Sequence, residues 1–178
     1  MLIAKVDAEA PNAKAVAQEQ GVQSYPTIKY FPKGSTEPVA YQGGRTEKDF
    51  VAFVNKHAGT HRAVGGGLDA TGGTIAAMDA LVEKIVAAKD GVAEGVADGI
   101  EALRKAAAGE KESKFAQYYV KVAEKAKENA GYVEKELKRL EGLLKKGGLA
   151  PEKVDDLTSR SNILKRFQLG SDTGKDEL

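Results

Sequence analysis

Gly21-Val22-Gln23-Ser24-Tyr25-Pro26-Thr27-Ile28-Lys29-Tyr30-Phe31 is the stretch on which the fold turns. Thr27 to Phe31 is β-branched and aromatic, the composition of a strand. Pro32-Lys33-Gly34 supplies a turn, and Val39-Ala40-Tyr41 reads as a second short strand. Upstream, Asn12 to Gln20 is helix-like, with Pro11 near its start and Gly21 at its end. Before it, Leu2 to Val6 is a short apolar run, read as a buried strand. Downstream, Thr46 is an N-cap with Asp49 three residues on, a capping box with Asp in place of Glu or Gln. Phe50, Phe53 and Val54 then follow at helical spacing. Residues 1–58 thus read as strand, helix, strand, turn, strand, helix.

Composition changes beyond this segment. Six of the eleven aromatic residues and four of the five prolines fall before position 54. After position 74 the chain is rich in Ala, Lys, Glu and Leu, which favour helix. Residues 59–73, with Gly65-Gly66-Gly67 and Gly72-Gly73, read as a glycine-rich flexible linker. Residues 74–169 then read as a helical domain of about five helices, near 74–90, 92–108, 112–129, 132–146 and 151–168. Val133, Leu137, Leu140 and Leu144 form one stripe. Val154, Leu157, Leu164 and Phe167 form another, entered through Pro151. Gly91, Gly95 and Gly99 weaken the second of these helices. Short connections favour antiparallel neighbours and a bundle. The fold class is α+β overall, with an all-α second part.

Lys and Arg number 27 against 26 Asp and Glu, a net charge of +1 that argues for neither nucleic acid nor an anionic membrane surface. No apolar run is long enough for membrane insertion. Cysteine is absent, which excludes a disulfide framework, a thiolate metal site and thiol chemistry by these residues. The chain closes on Lys175-Asp176-Glu177-Leu178, a tetrapeptide read by the KDEL receptor of the early secretory pathway, within a polar tail, 170–178, expected to be exposed. Its start, Met1 to Asp7, has no signal-peptide pattern, so a retention signal without an entry signal leads to the expectation of a truncated or processed chain.

Lys5-Val6-Asp7-Ala8, the Gly21–Phe31 stretch and Tyr41-Gln42-Gly43-Gly44-Arg45-Thr46 together resemble the second half of a thioredoxin-fold domain of the protein disulfide isomerases. Phe115-Ala116-Gln117-Tyr118-Tyr119 and Ser161 to Gln168 are similar to the all-helical C-terminal domain of some members. The resemblance implies an incomplete thioredoxin-like α/β half, followed by a helical bundle, from a protein of the endoplasmic reticulum lumen. It implies thiol–disulfide exchange on unfolded or disulfide-bonded secretory proteins. It also implies a cis peptide at Pro26, which the tertiary amide of an X-Pro bond permits. The family's Cys-x-x-Cys lies on a helix upstream of the segment at 2–6. Exchange needs an attacking and a leaving thiolate, so the expectation is an isomerase parent and a chain that is not catalytic by itself. The alternative is a non-enzymatic chaperone or escort module.

Candidate sites follow from the same residues. Tyr25, Pro26 and Thr27 would form the peptide-binding cis-proline loop; without the resemblance they simply shape a turn before a strand. Arg45 matches a family arginine that favours thiolate by its charge, but no thiolate is present to respond. Tyr118 and Tyr119 are adjacent on one helix, so one of them should point outward as a client patch, whereas Phe115 and Phe167 suit the core. His57 and His61 lack further ligands for a metal, and no cofactor is implied. Lys138-Arg139 and Lys145-Lys146 are interleaved with acids and read as a solvated helix face. Residues 1–58 are expected to be unstable alone, because the strand at 2–6 would lack its neighbours.

Overall fold

A computed structural model describes residues 2–88, 93–110 and 113–168. The chain divides into two compact units, Met1–Gly59 and Thr60–Leu178.

The first unit contains α1 (Lys14–Glu19), β1 (Lys29–Tyr30), β2 (Val39–Ala40) and α2 (Glu47–Ala58). α1 stops where Gly21 turns left-handed at φ 60°. The Gly21 N–H then donates to Gln18 O and the Val22 N–H to Ala17 O, both at 2.9 Å, closing the helix in a Schellman motif. β1 and β2 pair antiparallel, Lys29 opposite Ala40 and Tyr30 opposite Val39. α2 starts on the capping box. Thr46 Oγ1 accepts from the Asp49 N–H at 3.2 Å, and the Thr46 N–H donates to Asp49 Oδ2 at 3.0 Å. Asp is shorter than Glu but closes the box.

An aromatic cluster joins hairpin to helix. Phe53 meets Tyr30 edge-on at 5.6 Å and Tyr41 at 4.9 Å, while Tyr41 stacks on Phe50 at 5.2 Å. Among the described residues of this unit none is fully buried. Leu2 to Val6 is not a strand. A strand is held by its partner's backbone, and none of the described residues pairs with it, so Leu2 and Ile3 stand 91% and 81% exposed.

The second unit holds α3 (Ala76–Ala88), α4 (Ala93–Gly109), α5 (Lys114–Glu128), α6 (Tyr132–Lys146) and α7 (Pro151–Gln168). Each helix packs on the next, and α5 also meets α3 and α7, which places it at the centre of the bundle. The core includes Met78, Val82, Leu103, Tyr119, Val122, Leu140, Ile163 and Leu164. Both sequence stripes supply it, through Val133, Leu137 and Leu140, and through Leu157, Leu164 and Phe167. Glycine in α4 has a packing role: a Cβ on Gly99 would collide with Ile85 Cγ1 of α3. The residue that weakens the helix therefore lets its neighbour approach.

Residues 60–75 pack as part of this unit rather than hanging free. Arg62 makes a two-pronged ion pair with Asp155, at 2.9 and 2.7 Å. Asn162 Nδ2 donates to the carbonyls of Asp69 and Gly72, at 2.8 and 3.0 Å. Gly73, at φ 81°, sits so close to Ser159 that a Cβ there would strike the serine. Glycine here permits close docking as well as freedom.

Candidate functional site

The Tyr25–Pro26 peptide bond is cis. The turn around it is tied by the Thr27 hydroxyl, which donates to Ser24 O at 2.6 Å. Tyr25 is 61% exposed, so an aromatic ring faces solvent beside this turn. Phe31 and Val39 are also exposed. Arg45 lies on the turn that leads into the Thr46 cap and is exposed. Lys175, Asp176, Glu177 and Leu178 lie outside the described residues, as does the rest of the tail.

The expected client patch at Tyr118 and Tyr119 is corrected by burial. Tyr119 is completely covered and Tyr118 only 5% exposed. Adjacent positions on a helix point about 100° apart, and an outer helix would leave one of them in water. α5 is central, so each direction meets a neighbour. The Tyr119 hydroxyl donates to Asp79 Oδ1 and accepts from the Ile75 N–H at 3.2 Å. Its ring lies 6.3 Å from that of Phe167. Asp79 Oδ2 in turn pairs with Arg166 Nε at 3.2 Å. Burial, reinforced by the Asp79 carboxylate, pushes the Tyr119 phenol well above its ordinary range. Tyr118 is pushed up too, chiefly by burial, and the Arg160 guanidinium covers its ring at 4.7 Å. Phe115 is half-buried, beneath Lys114.

The two histidines have separate settings. His57 packs its ring on Phe53 and Tyr30, at 4.3 and 4.7 Å, whereas His61 Nδ1 lies 2.9 Å from Thr71 Oγ1. Among the described residues there is no group of three or more His, Asp or Glu placed to hold a metal ion. No helix among them is long and apolar enough to cross a membrane.

Sequence reasoning missed a cavity of about 470 Å³ in the helical unit, lined by Ala70, Leu137, Glu141, Asn162, Lys165, Arg166 and Gln168. Asn162 could have signalled it: an asparagine is a poor helix former, and here it ends the polar run Thr158-Ser159-Arg160-Ser161 inside α7, just before Ile163 and Leu164.

Two family models match the chain. One, described as endoplasmic reticulum protein ERp29, C-terminal domain, covers residues 73–167; the other, thioredoxin, covers residues 1–56. Protein disulfide-isomerase tigA of Aspergillus niger is 56% identical over 178 residues, all of this chain and 47% of that protein. Protein disulfide-isomerase erp38 of Neurospora crassa is 51% identical over 99% of this chain and 47% of its own length. A probable protein disulfide-isomerase A6 of Medicago sativa is 38% identical over 94% of this chain and 45% of its own length. The chain spans about half the length of these curated relatives.

Proposed function

The chain belongs to the protein disulfide-isomerase family, with a helical unit of the ERp29 C-terminal type, and on that premise we propose that it serves thiol–disulfide exchange during the folding of secretory proteins. The observation that carries this reading is likeness along the whole chain to proteins named as disulfide isomerases, at 56% and 51% identity. The chemistry needs a dithiol, and these 178 residues contain no cysteine. The redox pair is therefore supplied from residues beyond them. The segment around Tyr25, Pro26 and Thr27 contacts extended client chain beside that dithiol, with the exposed Tyr25 ring as its apolar contact. Arg45 lends positive charge to the thiolate. The helical unit extends the client-handling surface. The site of action is the endoplasmic reticulum lumen, and Lys175 to Leu178 return the protein there through the KDEL receptor.

Reactivation of scrambled ribonuclease tests the reading. The native protein that carries this sequence restores ribonuclease activity, and the 178-residue chain alone does not. Tyr25→Ala in the native protein slows reactivation while leaving its thiol count unchanged. A native protein without exchange activity, yet suppressing aggregation of reduced clients, would replace the isomerase by the escort module.

A further inference from the structure

One face of α7 holds a turn of the chain's own backbone, closed by the Gly72 N–H donating to Asp69 O at 3.1 Å. Ser159, Asn162 and Arg166 stand at i, i+3 and i+7, successive positions on one side of the helix. The first two are already occupied by the chain's own residues 69–73. Gly73 lies against Ser159, and Asn162 donates both amide hydrogens to the carbonyls of Asp69 and Gly72. At the third position Arg166 lines a cavity of about 470 Å³, to which this segment contributes Ala70. Ala70 and Leu137 give it an apolar side, and Glu141, Lys165 and Arg166 line the rest together with Asn162 and Gln168. Its volume falls in the range of sites that enclose small ligands or short peptide segments.

The charges in the cavity are not equivalent. Glu141 Oε1 faces Lys165 Nζ at 3.5 Å, and that pair is largely self-compensated. Arg166 lies in an ion pair with Asp79, Nε to Oδ2 at 3.2 Å, and Tyr119 also grips that carboxylate. A guanidinium has five N–H donors in a fixed fork. Among the described residues Nε makes this ion contact without a hydrogen bond, so the donors of the guanidinium are not saturated. A guanidinium with donors to spare suits a carboxylate, which its fork binds through two charge-assisted hydrogen bonds.

We propose that this cavity is a second client site, for a polypeptide segment carrying an acidic residue next to an apolar one. The carboxylate binds the Arg166 fork and the apolar side chain lies on Leu137 and Ala70. The proposal rests on the client-folding function above and adds a site on the helical unit to it.

The test is a ¹⁵N NMR titration of the full 178-residue chain with the probe peptide Gly-Ser-Asp-Leu-Ser-Gly, and with its Asn-for-Asp counterpart. Amide signals of Ala70, Leu137, Glu141 and residues 162–168 shift with the acidic probe. The neutral probe binds at least about ten-fold more weakly, as expected for one lost charge-assisted contact. Arg166→Gln weakens the acidic probe by a similar factor. Because that change also disturbs Asp79 and Tyr119, Ala70→Phe provides the second variant: it fills the cavity mouth from an exposed position and abolishes the shifts. Absence of shifts up to about 1 mM probe, or equal shifts in Ala70→Phe, would overturn the proposal. So would cavity signals that move without probe when residues 170–178 are deleted, since the chain's own end would then be the occupant. Ribonuclease reactivation by the native protein, measured in parallel, separates loss of this site from loss of the parent function.

Discussion

Asn162→Ala should release residues 60–75 from α7 and lower the stability of the helical unit by about 2 kcal/mol. Asn162 is nearly buried and donates two hydrogen bonds, of 2.8 and 3.0 Å, to backbone carbonyls. A hydrogen bond of this kind contributes about 1 kcal/mol net. Removing the donor side chain leaves the carbonyls of Asp69 and the buried Gly72 without that partner. For a unit of this size the loss corresponds to a fall in melting temperature of about 6–8 °C. The ion pair of Arg62 with Asp155 stays, so release is local before it is global. Circular dichroism measures the melting temperature, and amide exchange locates the change. The reporters are the Asp69 N–H bonded to His61 O at 2.9 Å, and the Gly72 N–H bonded to Asp69 O at 3.1 Å. Both exchange faster in the variant, while α5 amides keep their order of protection. A melting temperature within about 1 °C of the parent, with unchanged exchange across 61–74, would refute the reasoning.

Four further outcomes follow from the same physics. Tyr119→Phe removes the donor to Asp79 and the acceptor of the Ile75 N–H, and lowers stability by about 1–2 kcal/mol in urea denaturation. Tyr118 and Tyr119 have phenol pKa values raised by burial, so their stabilising effect is complete below the ordinary value of 10.0 and is lost as pH rises above it. Absorbance at 295 nm shows their ionisation coinciding with alkaline unfolding, a step missing from the double Phe variant. Asp156 is pushed up by burial, but hydrogen bonds from Lys114 and Arg160 outweigh this and hold its carboxyl below 3.8. Its contribution is therefore complete above that value and is lost as pH falls through the depressed folded value. Asp156→Asn accordingly lowers the neutral-pH melting temperature and flattens the acid limb of the stability curve. Amide exchange of the 178-residue chain should be fast across 1–58 and slow across 112–168, because the first unit has no fully buried residue among those described and the second has a continuous core.

Local signals in the sequence were readable, and contacts distant along the chain were not. Thr46 and Asp49 announce the start of α2 within four residues, and their reciprocal hydrogen bonds appear as the pattern suggests. Apolar stripes likewise mark α6 and α7, since helical periodicity is a property of the segment itself. Leu2 to Val6 shows the limit: apolar composition favours a strand, but only pairing makes one. Tyr118 and Tyr119 show another, because the number of helices packed around α5 is not written in α5. The docking of residues 60–75 depends on Arg62 with Asp155 and on Asp69 with Asn162, each pair 93 positions apart. The glycines that suggested a free linker are also what allow close approach to Ser159. The candidate loop at Tyr25 to Thr27 was legible through resemblance. The cavity on α7 was not, since its walls come from three separate parts of the chain.

The most direct test of the central claim is the intact mass of the native protein carrying this sequence, measured with and without a thiol-alkylating reagent after reduction. The account predicts a mass well above 18.9 kDa and at least one reactive pair of thiols. A mass of 18.9 kDa that the reagent leaves unchanged would contradict it, and would assign these residues to a protein that binds clients without exchanging their disulfides.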